Sequence, residues 1–159
     1  MQAQFIETMI LLLINHQSLI ATKASRIVRA AGGRPVMEFG ARRAQGFDAS
    51  VYGARAAYIG GCSSTSNVFA AKKFGIPASG TMAHSWVQLF DSEYEAFKAY
   101  AENYPNNCTL LVDTFNVLKS GVPNAIKVFN EVLVPNGHRP KGIRIDSGDI
   151  TYLSRKARK

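Results

Sequence analysis

The sequence is poor in cysteine, with only Cys62 and Cys108 among 159 residues. Their separation matches neither a zinc-ligand spacing nor the disulfide framework of a small secreted domain. We therefore predict no protein-held metal site. The shortage of cysteine excludes a disulfide-rich extracellular class and is typical of a protein that works in a reducing cytoplasm.

Long hydrophobic runs are also lacking. The longest, Met9 to Ile14, is far shorter than the ~20 apolar residues of a membrane helix, and polar residues 15–17 end it. Residues 1–8 contain one acid and no Lys or Arg, whereas a secretory signal carries basic residues before its apolar run. We predict no membrane span and a cytoplasmic location.

Acidic residues are few, 11 against 19 basic ones, which gives a net charge of +8. Such an excess raises nucleic acid as a partner. However, four of the last five residues are basic, so half of the excess is local to that segment. The other bases are not interleaved with aromatic residues that could stack on a single strand. We predict no nucleic-acid partner and expect the charge to suit anionic small substrates.

The sequence does contain an alternation of short apolar segments with longer helix-like stretches. Strands are predicted over residues 36–40, 78–84, 109–113 and 142–146. Helices are predicted over residues 4–31, 50–58, 66–74, 86–104 and 117–133. This alternation indicates βαβ units with a parallel sheet, the α/β class. Four strands amount to a partial, half β/α barrel, so residues 1–159 are interpreted as one barrel-domain fragment, incomplete at both ends.

Each predicted strand ends in side chains suited to binding or catalysis. These are Glu38 with Arg42 nearby, His84, Asp113, and Arg144 with Asp146. Because the carboxyl ends of parallel strands form the site of a β/α barrel, we expect the chemistry on one rim.

The first two polar segments each have two interpretations. Residues 38–46 offer two arginines that could bind an anion bidentately, or they are a solvated helix start with one arginine in a salt bridge. Residues 60–67 precede a helix and could place an anion at its N-terminus, or they only cap that helix. Spacing alone leaves both pairs of interpretations open.

Each of the later polar segments also has two interpretations. His84, between hydroxyl residues at a strand-to-helix turn, could be a nucleophile or general base, or a structural histidine like His16 and His138. Asp113 either caps the next helix or contacts hydroxyls and metal. Arg144 and Asp146 share one face of a strand. They form an internal ion pair, or they bind phosphate or ribose together with the turn 147–149.

Five segments, in this order, resemble nicotinate phosphoribosyltransferases. They are Glu38 to Gly46, Gly60 to Val68, Gly80 to Ser85, Asp113-Thr114 with Ser120 to Asn124, and Arg144 to Asp149. The resemblance implies an irregular barrel of the type II phosphoribosyltransferase class. It implies an NAD-salvage enzyme that condenses nicotinate with phosphoribosyl pyrophosphate to nicotinate mononucleotide and pyrophosphate. ATP hydrolysis would be coupled through a phosphohistidine, Mg²⁺ would be required, and the full-length enzyme would be a homodimer.

The resemblance also implies roles for single residues. His84 would be the phosphorylated histidine, and Thr81 and Arg144 would hold nicotinate. Phe39 matches the aromatic residue that stacks on the pyridine ring in the related nicotinamide enzyme.

The remaining implied contacts are to ribose and phosphate. Arg42, Asp113 and Asp146 would contact the ribose, the phosphates or their magnesium. The two aspartates can stabilise a ribosyl cation developing at C1, which makes them catalytic candidates. The predicted substrate-binding set is completed by Ser85, Ser147 and Gly148.

Two alternatives remain open. Whole members of the family are much longer, so this chain could be an inactive, truncated fragment. A nicotinamide-specific relative is the other alternative, and it would place an acid near the pyridine substituent. Residues 63–66 offer hydroxyl groups and no acid, which favours a carboxylate substrate.

Overall fold

The computed structural model describes residues 2–159. Contacts between Cα atoms divide them at Gly80 into two compact units. Each unit combines helices with one parallel pair of strands, so the chain is mixed α/β, as the sequence predicts. The strands pair as two separate two-stranded sheets, so the half-barrel stays a prediction.

The first unit is built on two packed helices, α1 and α2. Its elements are α1 (Gln2–Ala30), β1 (Met37–Glu38), a 3-10 turn (Ala41–Arg43), α2 (Phe47–Ile59), β2 (Ser64–Thr65) and α3 (Val68–Phe74). Strand β1 pairs with β2 in parallel, with Met37 opposite Ser64. Helix α1 approaches the end of α2 so closely that a Cβ on Gly60 would lie 2.6 Å from the Ala21 carbonyl oxygen. A glycine is therefore required there.

Helix α1 carries a large exposed apolar surface. The exposed side chains include Phe5, Met9, Leu12 and Leu13, each at least 64% exposed. By length and composition α1 could cross a membrane, although its longest unbroken apolar run is short. Core helices of soluble proteins and signal sequences can have the same length and apolar composition. The expectation of no membrane span therefore stays a prediction.

The second unit holds the main hydrophobic core. Its elements are α4 (His84–Val87), α5 (Glu93–Asn103), a 3-10 turn (Pro105–Asn107), β3 (Thr109–Leu111), a π-helical turn (Val117–Gly121), α6 (Val122–Val128), a second π-helical turn (Phe129–Leu133), a 3-10 turn (Val134–Asn136), β4 (Gly142–Arg144) and α7 (Ile150–Ala157). Strand β3 pairs with β4 in parallel, with Leu110 opposite Ile143. The fully buried core includes Phe97, Leu110, Leu111, Val128 and Leu133. Such a continuously apolar strand is typical of a parallel sheet.

Two predicted elements are wrong in detail, and one strand was not predicted. Residues 78–84 form no strand, because only Ala78 makes a bridge, to Thr65, and α4 begins at His84. The predicted helix 86–104 is two helices, since Ser92 caps a new one by accepting a hydrogen bond from the Glu95 amide. Strand β2 was not predicted, because its small polar residues show no apolar alternation.

We expect Gly121→Ala to lower the free energy of unfolding by about 3 kcal/mol, the upper range for forced overpacking. A Cβ at this buried position would lie 1.9 Å from the Val112 carbonyl oxygen, which belongs to backbone and cannot move aside. Urea unfolding followed by circular dichroism measures the change. Gly80→Ala is the matched control, because a Cβ there meets nothing within 4 Å. Equal effects from the two substitutions would contradict the close approach.

We expect the Cys108 thiol to react slowly with thiol reagents in the native protein. Burial raises its pKa to about 11, so almost no thiolate exists at pH 8, and the side chain is fully buried. A chromogenic disulfide reagent at pH 8 should react slowly with the native protein and fast in denaturant. Fast native reaction of both cysteines would contradict the buried position.

Candidate active site

The ends of β3 and β4 and the start of α4 bring three ionisable side chains together. The His84 Nε2 atom lies 3.9 Å from Asp113 Oδ1 and 3.7 Å from Asp146 Oδ2. Asp113 comes two residues after β3, and Asp146 comes two residues after β4. The sequence prediction that strand ends converge is confirmed for this unit.

Both nitrogen atoms of the His84 ring face polar groups. Nδ1 lies 3.2 Å from the Thr114 hydroxyl, while Nε2 faces the two carboxylates. The side chain is 38% exposed, so a ligand can reach it. The other histidines differ, because His16 contacts the Ala49 carbonyl and His138 contacts Asn106, consistent with structural roles.

Asp113 is a buried carboxylate with one unpaired oxygen. Oδ2 accepts hydrogen bonds from the Asp146 amide, at 2.9 Å, and from the Ser147 hydroxyl, at 2.6 Å. Oδ1 has no hydrogen-bond partner among residues 2–159, although it is shielded from solvent. Of the two interpretations of Asp113, contact with hydroxyls is observed and helix capping is not. A buried polar atom without a partner is uncommon and often marks a place for a ligand.

Arg144 is held from two sides. Its Nη1 donates a hydrogen bond to Thr81 Oγ1 at 2.7 Å, and its Nη2 lies 3.0 Å from Asp146 Oδ1. The internal ion pair considered from the sequence is therefore present, and the shared face of Arg144 and Asp146 is confirmed. The Arg144 side chain is 24% exposed, and its guanidinium group lies next to Asp146, which also faces His84.

The turn after β4 is built around Gly148. This glycine has φ of 76°, in the left-handed region, and a Cβ there would lie 3.1 Å from Leu153 Cδ1. Asp149 then caps α7 by accepting a hydrogen bond from the Tyr152 amide. Ser147 is bound to Asp113, as described above, and Ser85 is exposed as the second residue of α4.

Phe39 and Arg42 belong to the first unit. Phe39 is half-buried just after β1, and Arg42 is exposed in the 3-10 turn. Neither arginine of this turn forms a salt bridge within residues 2–159, so that alternative is not observed. Glu38 instead accepts hydrogen bonds from the Thr65 hydroxyl and the Gly40 amide. The implied roles of Phe39 and Arg42 stay predictions.

Capping by the segment 60–67 is observed, and anion binding there stays a prediction. Asn67 Oδ1 accepts a hydrogen bond from the Ala70 amide at 3.0 Å and so begins α3. Its Cys62 thiol is buried, and burial together with the nearby Glu38 charge raises its pKa. Within residues 2–159 no group of three or more His, Cys, Asp or Glu side chains is arranged to hold a metal ion.

Sequence reasoning overlooked Thr114 and Glu93. Thr114 lies in one of the recognised segments, yet only the folded chain shows that its hydroxyl meets His84 Nδ1. Glu93 is 5% exposed and contacts Ser120 and Asn124, 27 and 31 residues away. A glutamate at the start of a helix is normally explained by its favourable interaction with the helix dipole. The sequence therefore gave no sign that Glu93 is buried.

The chain is similar to known nicotinate phosphoribosyltransferases. The model of the nicotinate phosphoribosyltransferase (NAPRTase) family matches residues 35–159. The chain is 55% identical to the nicotinate phosphoribosyltransferase of Bacillus subtilis (strain 168), over 99% of this chain and 32% of that protein. The crystal structure of human nicotinic acid phosphoribosyltransferase matches with a TM-score of 0.87 and 32% identity, over 98% of this chain and 40% of the other.

A second solved structure is more distant. The nicotinate-nucleotide pyrophosphorylase from Pyrococcus furiosus matches with a TM-score of 0.72 and 28% identity, over 90% of this chain and 36% of the other. The chain thus spans about a third of the length of these relatives. Since the family model covers residues 35–159, and the polar cluster falls inside that match, the chain belongs to the nicotinate phosphoribosyltransferase family of enzymes.

Proposed function

We propose that this chain carries the nicotinate- and ribose-binding part of an enzyme that joins nicotinate to phosphoribosyl pyrophosphate. The products are nicotinate mononucleotide and pyrophosphate, in NAD salvage. The observation that supports it best is the convergence of His84, Asp113, Asp146 and Arg144 at the ends of β3 and β4. We further propose that the chain contributes half of a type II phosphoribosyltransferase barrel.

Arg144 would bind the carboxylate of nicotinate. A guanidinium group recognises a carboxylate through parallel N–H donors, and this one is already oriented by Thr81 and Asp146. Thr81 would add a hydroxyl contact to the same ligand. A cationic receptor favours nicotinate over the neutral nicotinamide, which argues against the nicotinamide-specific alternative.

The two aspartates would stabilise the ribose during transfer. The bond from C1 of the ribose to the pyrophosphate oxygen breaks, the bond from C1 to the nicotinate nitrogen forms, and positive charge develops at C1 between these events. Asp113 and Asp146 are carboxylates on one side of the site, so they can stabilise that charge. Ser147, Ser85 and the Gly148 turn would contact phosphate or ribose oxygens.

His84 would couple ATP hydrolysis to this transfer. The carboxylates that face Nε2 favour the tautomer with its proton there, which leaves the Nδ1 lone pair to attack the γ-phosphorus of ATP. A P–N bond forms as the β,γ-bridging P–O bond breaks and ADP leaves. Water later cleaves the P–N bond and releases phosphate.

Magnesium fits the donor set of this site. Mg²⁺ prefers oxygen ligands and is commonly held by one or two carboxylates together with substrate phosphates. Asp113, with its unpaired Oδ1, and Asp146 would hold it, and it would neutralise phosphate charge. By the resemblance to the family, Phe39 would contact the pyridine ring, and Arg42 would contact ribose, phosphate or magnesium.

We expect His84→Ala to reduce ATP-coupled formation of nicotinate mononucleotide on the order of a hundredfold or more, because the phosphoryl acceptor is lost. Nicotinate affinity should change little, since Arg144 is untouched. ADP release and product formation are measured by chromatography, and nicotinate binding by calorimetry. His138→Ala is the matched control, as the ring of that histidine lies 3.0 Å from the Asn106 side chain and contacts neither aspartate. Undiminished ADP release in His84→Ala would remove the phosphohistidine role.

We expect Arg144→Ala to weaken nicotinate binding by roughly 10- to 100-fold, the effect of one charge-assisted hydrogen bond of about 1.5–3 kcal/mol. Calorimetric titration of this chain with nicotinate measures it. Arg139→Ala, which removes an exposed arginine, is the control. Unaltered affinity in Arg144→Ala would contradict the carboxylate contact. Wild-type chain that binds nicotinate yet forms no product would support the alternative of a fragment inactive by itself.

A further inference from the structure

Glu93 is a buried carboxylate that the proposed chemistry does not use. Its side chain is almost fully buried at the first residue of α5. One oxygen, Oε2, accepts a hydrogen bond from the Ser120 hydroxyl and a second, at 3.3 Å, from the Asn124 side-chain amide. The other oxygen, Oε1, is shielded from solvent and has no hydrogen-bond partner among residues 2–159. Burying a carboxylate is costly, so these contacts call for a structural or functional reason.

The contacts of Glu93 join two segments that meet again at His84. Ser120 and Asn124 lie just after Thr114, on the segment that begins with the Asn116 cap and continues into α6. Helix α5 is tied to the His84 helix, because the Trp86 indole donates a hydrogen bond to the Ala96 carbonyl at 3.3 Å.

Three side-chain contacts, together with the chain between them, connect the His84 helix, α5 and the Thr114 segment in a closed loop. One arm runs from His84 through Trp86 and Ala96 to Glu93, and the other runs from Thr114 along the chain to Ser120. The loop closes at the 3.2 Å contact between His84 Nδ1 and the Thr114 hydroxyl. The bond between Glu93 and Ser120 is therefore one of the contacts that connect the Thr114 segment to the His84 helix.

We propose that Glu93 is a positioning residue that fixes the orientation of His84, and so supports the tautomer favoured by the two carboxylates, by holding the Thr114 segment against the His84 helix. Glu93 touches neither the ring nor any reacting atom. Its importance for turnover rests on the proposed function, whereas its effect on the ring can be measured without substrates. A carboxylate suits this task because a single one of its oxygens can accept two hydrogen bonds, as Oε2 does here.

The test follows the imidazole nitrogens of this chain, labelled with ¹⁵N-histidine, by NMR. Tautomers differ strongly in their ring ¹⁵N shifts, and the chain has three histidines, so His16 and His138 serve as internal references. Thr114→Val gives the spectrum of a His84 ring without its hydroxyl partner. Glu93→Ala and Ser120→Ala are expected to move the His84 signals in that same direction, by more than the line width. His16 and His138 should keep their shifts.

Glu95→Ala is the matched control, since Glu95 lies in the same helical turn but is exposed. It should leave all three histidines unchanged. If Glu93→Ala also moves His138, the second unit has lost its fold, and the milder Ser120→Ala decides. A His84 spectrum equal to wild type in Ser120→Ala, or a Ser120→Ala shift that also includes His138, overturns the proposal. Because the readout needs neither ATP nor nicotinate, it can succeed even where the phosphohistidine proposal fails.

Discussion

The Asp113 carboxylate organises the polar cluster of the second unit. Its Oδ2 accepts hydrogen bonds from the Asp146 amide and the Ser147 hydroxyl, so it fixes the turn that follows β4 against the end of β3. Asp146 in turn holds Arg144 and faces His84. The desolvation cost of this carboxylate is offset by two short hydrogen bonds to one oxygen, and the other oxygen is left directed at the site. Removing Asp113 would leave the Asp146 amide and the Ser147 hydroxyl without their acceptor.

Much of this polar cluster could be predicted from the sequence. In alternating β and α segments the strands run parallel, so their carboxyl ends meet at one edge of the sheet. The period of two along β4 correctly placed Arg144 and Asp146 on one face. The apolar run at 109–113 correctly indicated a buried parallel strand that ends in an acid. The recognised segments also supplied His84, Thr81 and Ser147 as site residues, and all three lie in the cluster or contact it.

The rest depended on contacts between distant residues. Residues 78–84 contain apolar and small residues like a strand, yet pairing stops after Ala78, and α4 begins at His84. Strand β2 consists of two small hydroxyl residues whose burial follows from Glu38 and the neighbouring chain rather than from hydrophobicity. The burial of Glu93 likewise arises from Ser120 and Asn124, far along the chain. No local pattern encodes such pairings.

The exposed apolar surface of α1 makes the chain amphipathic. Side chains such as Phe5, Leu12 and Leu13 face water. They form an apolar surface on a molecule that is otherwise basic. Salts that are excluded from protein surfaces strengthen such apolar contacts while they screen the repulsion between positive charges. Sulfate and phosphate, which stabilise most folded domains, would therefore promote self-association of this chain through α1.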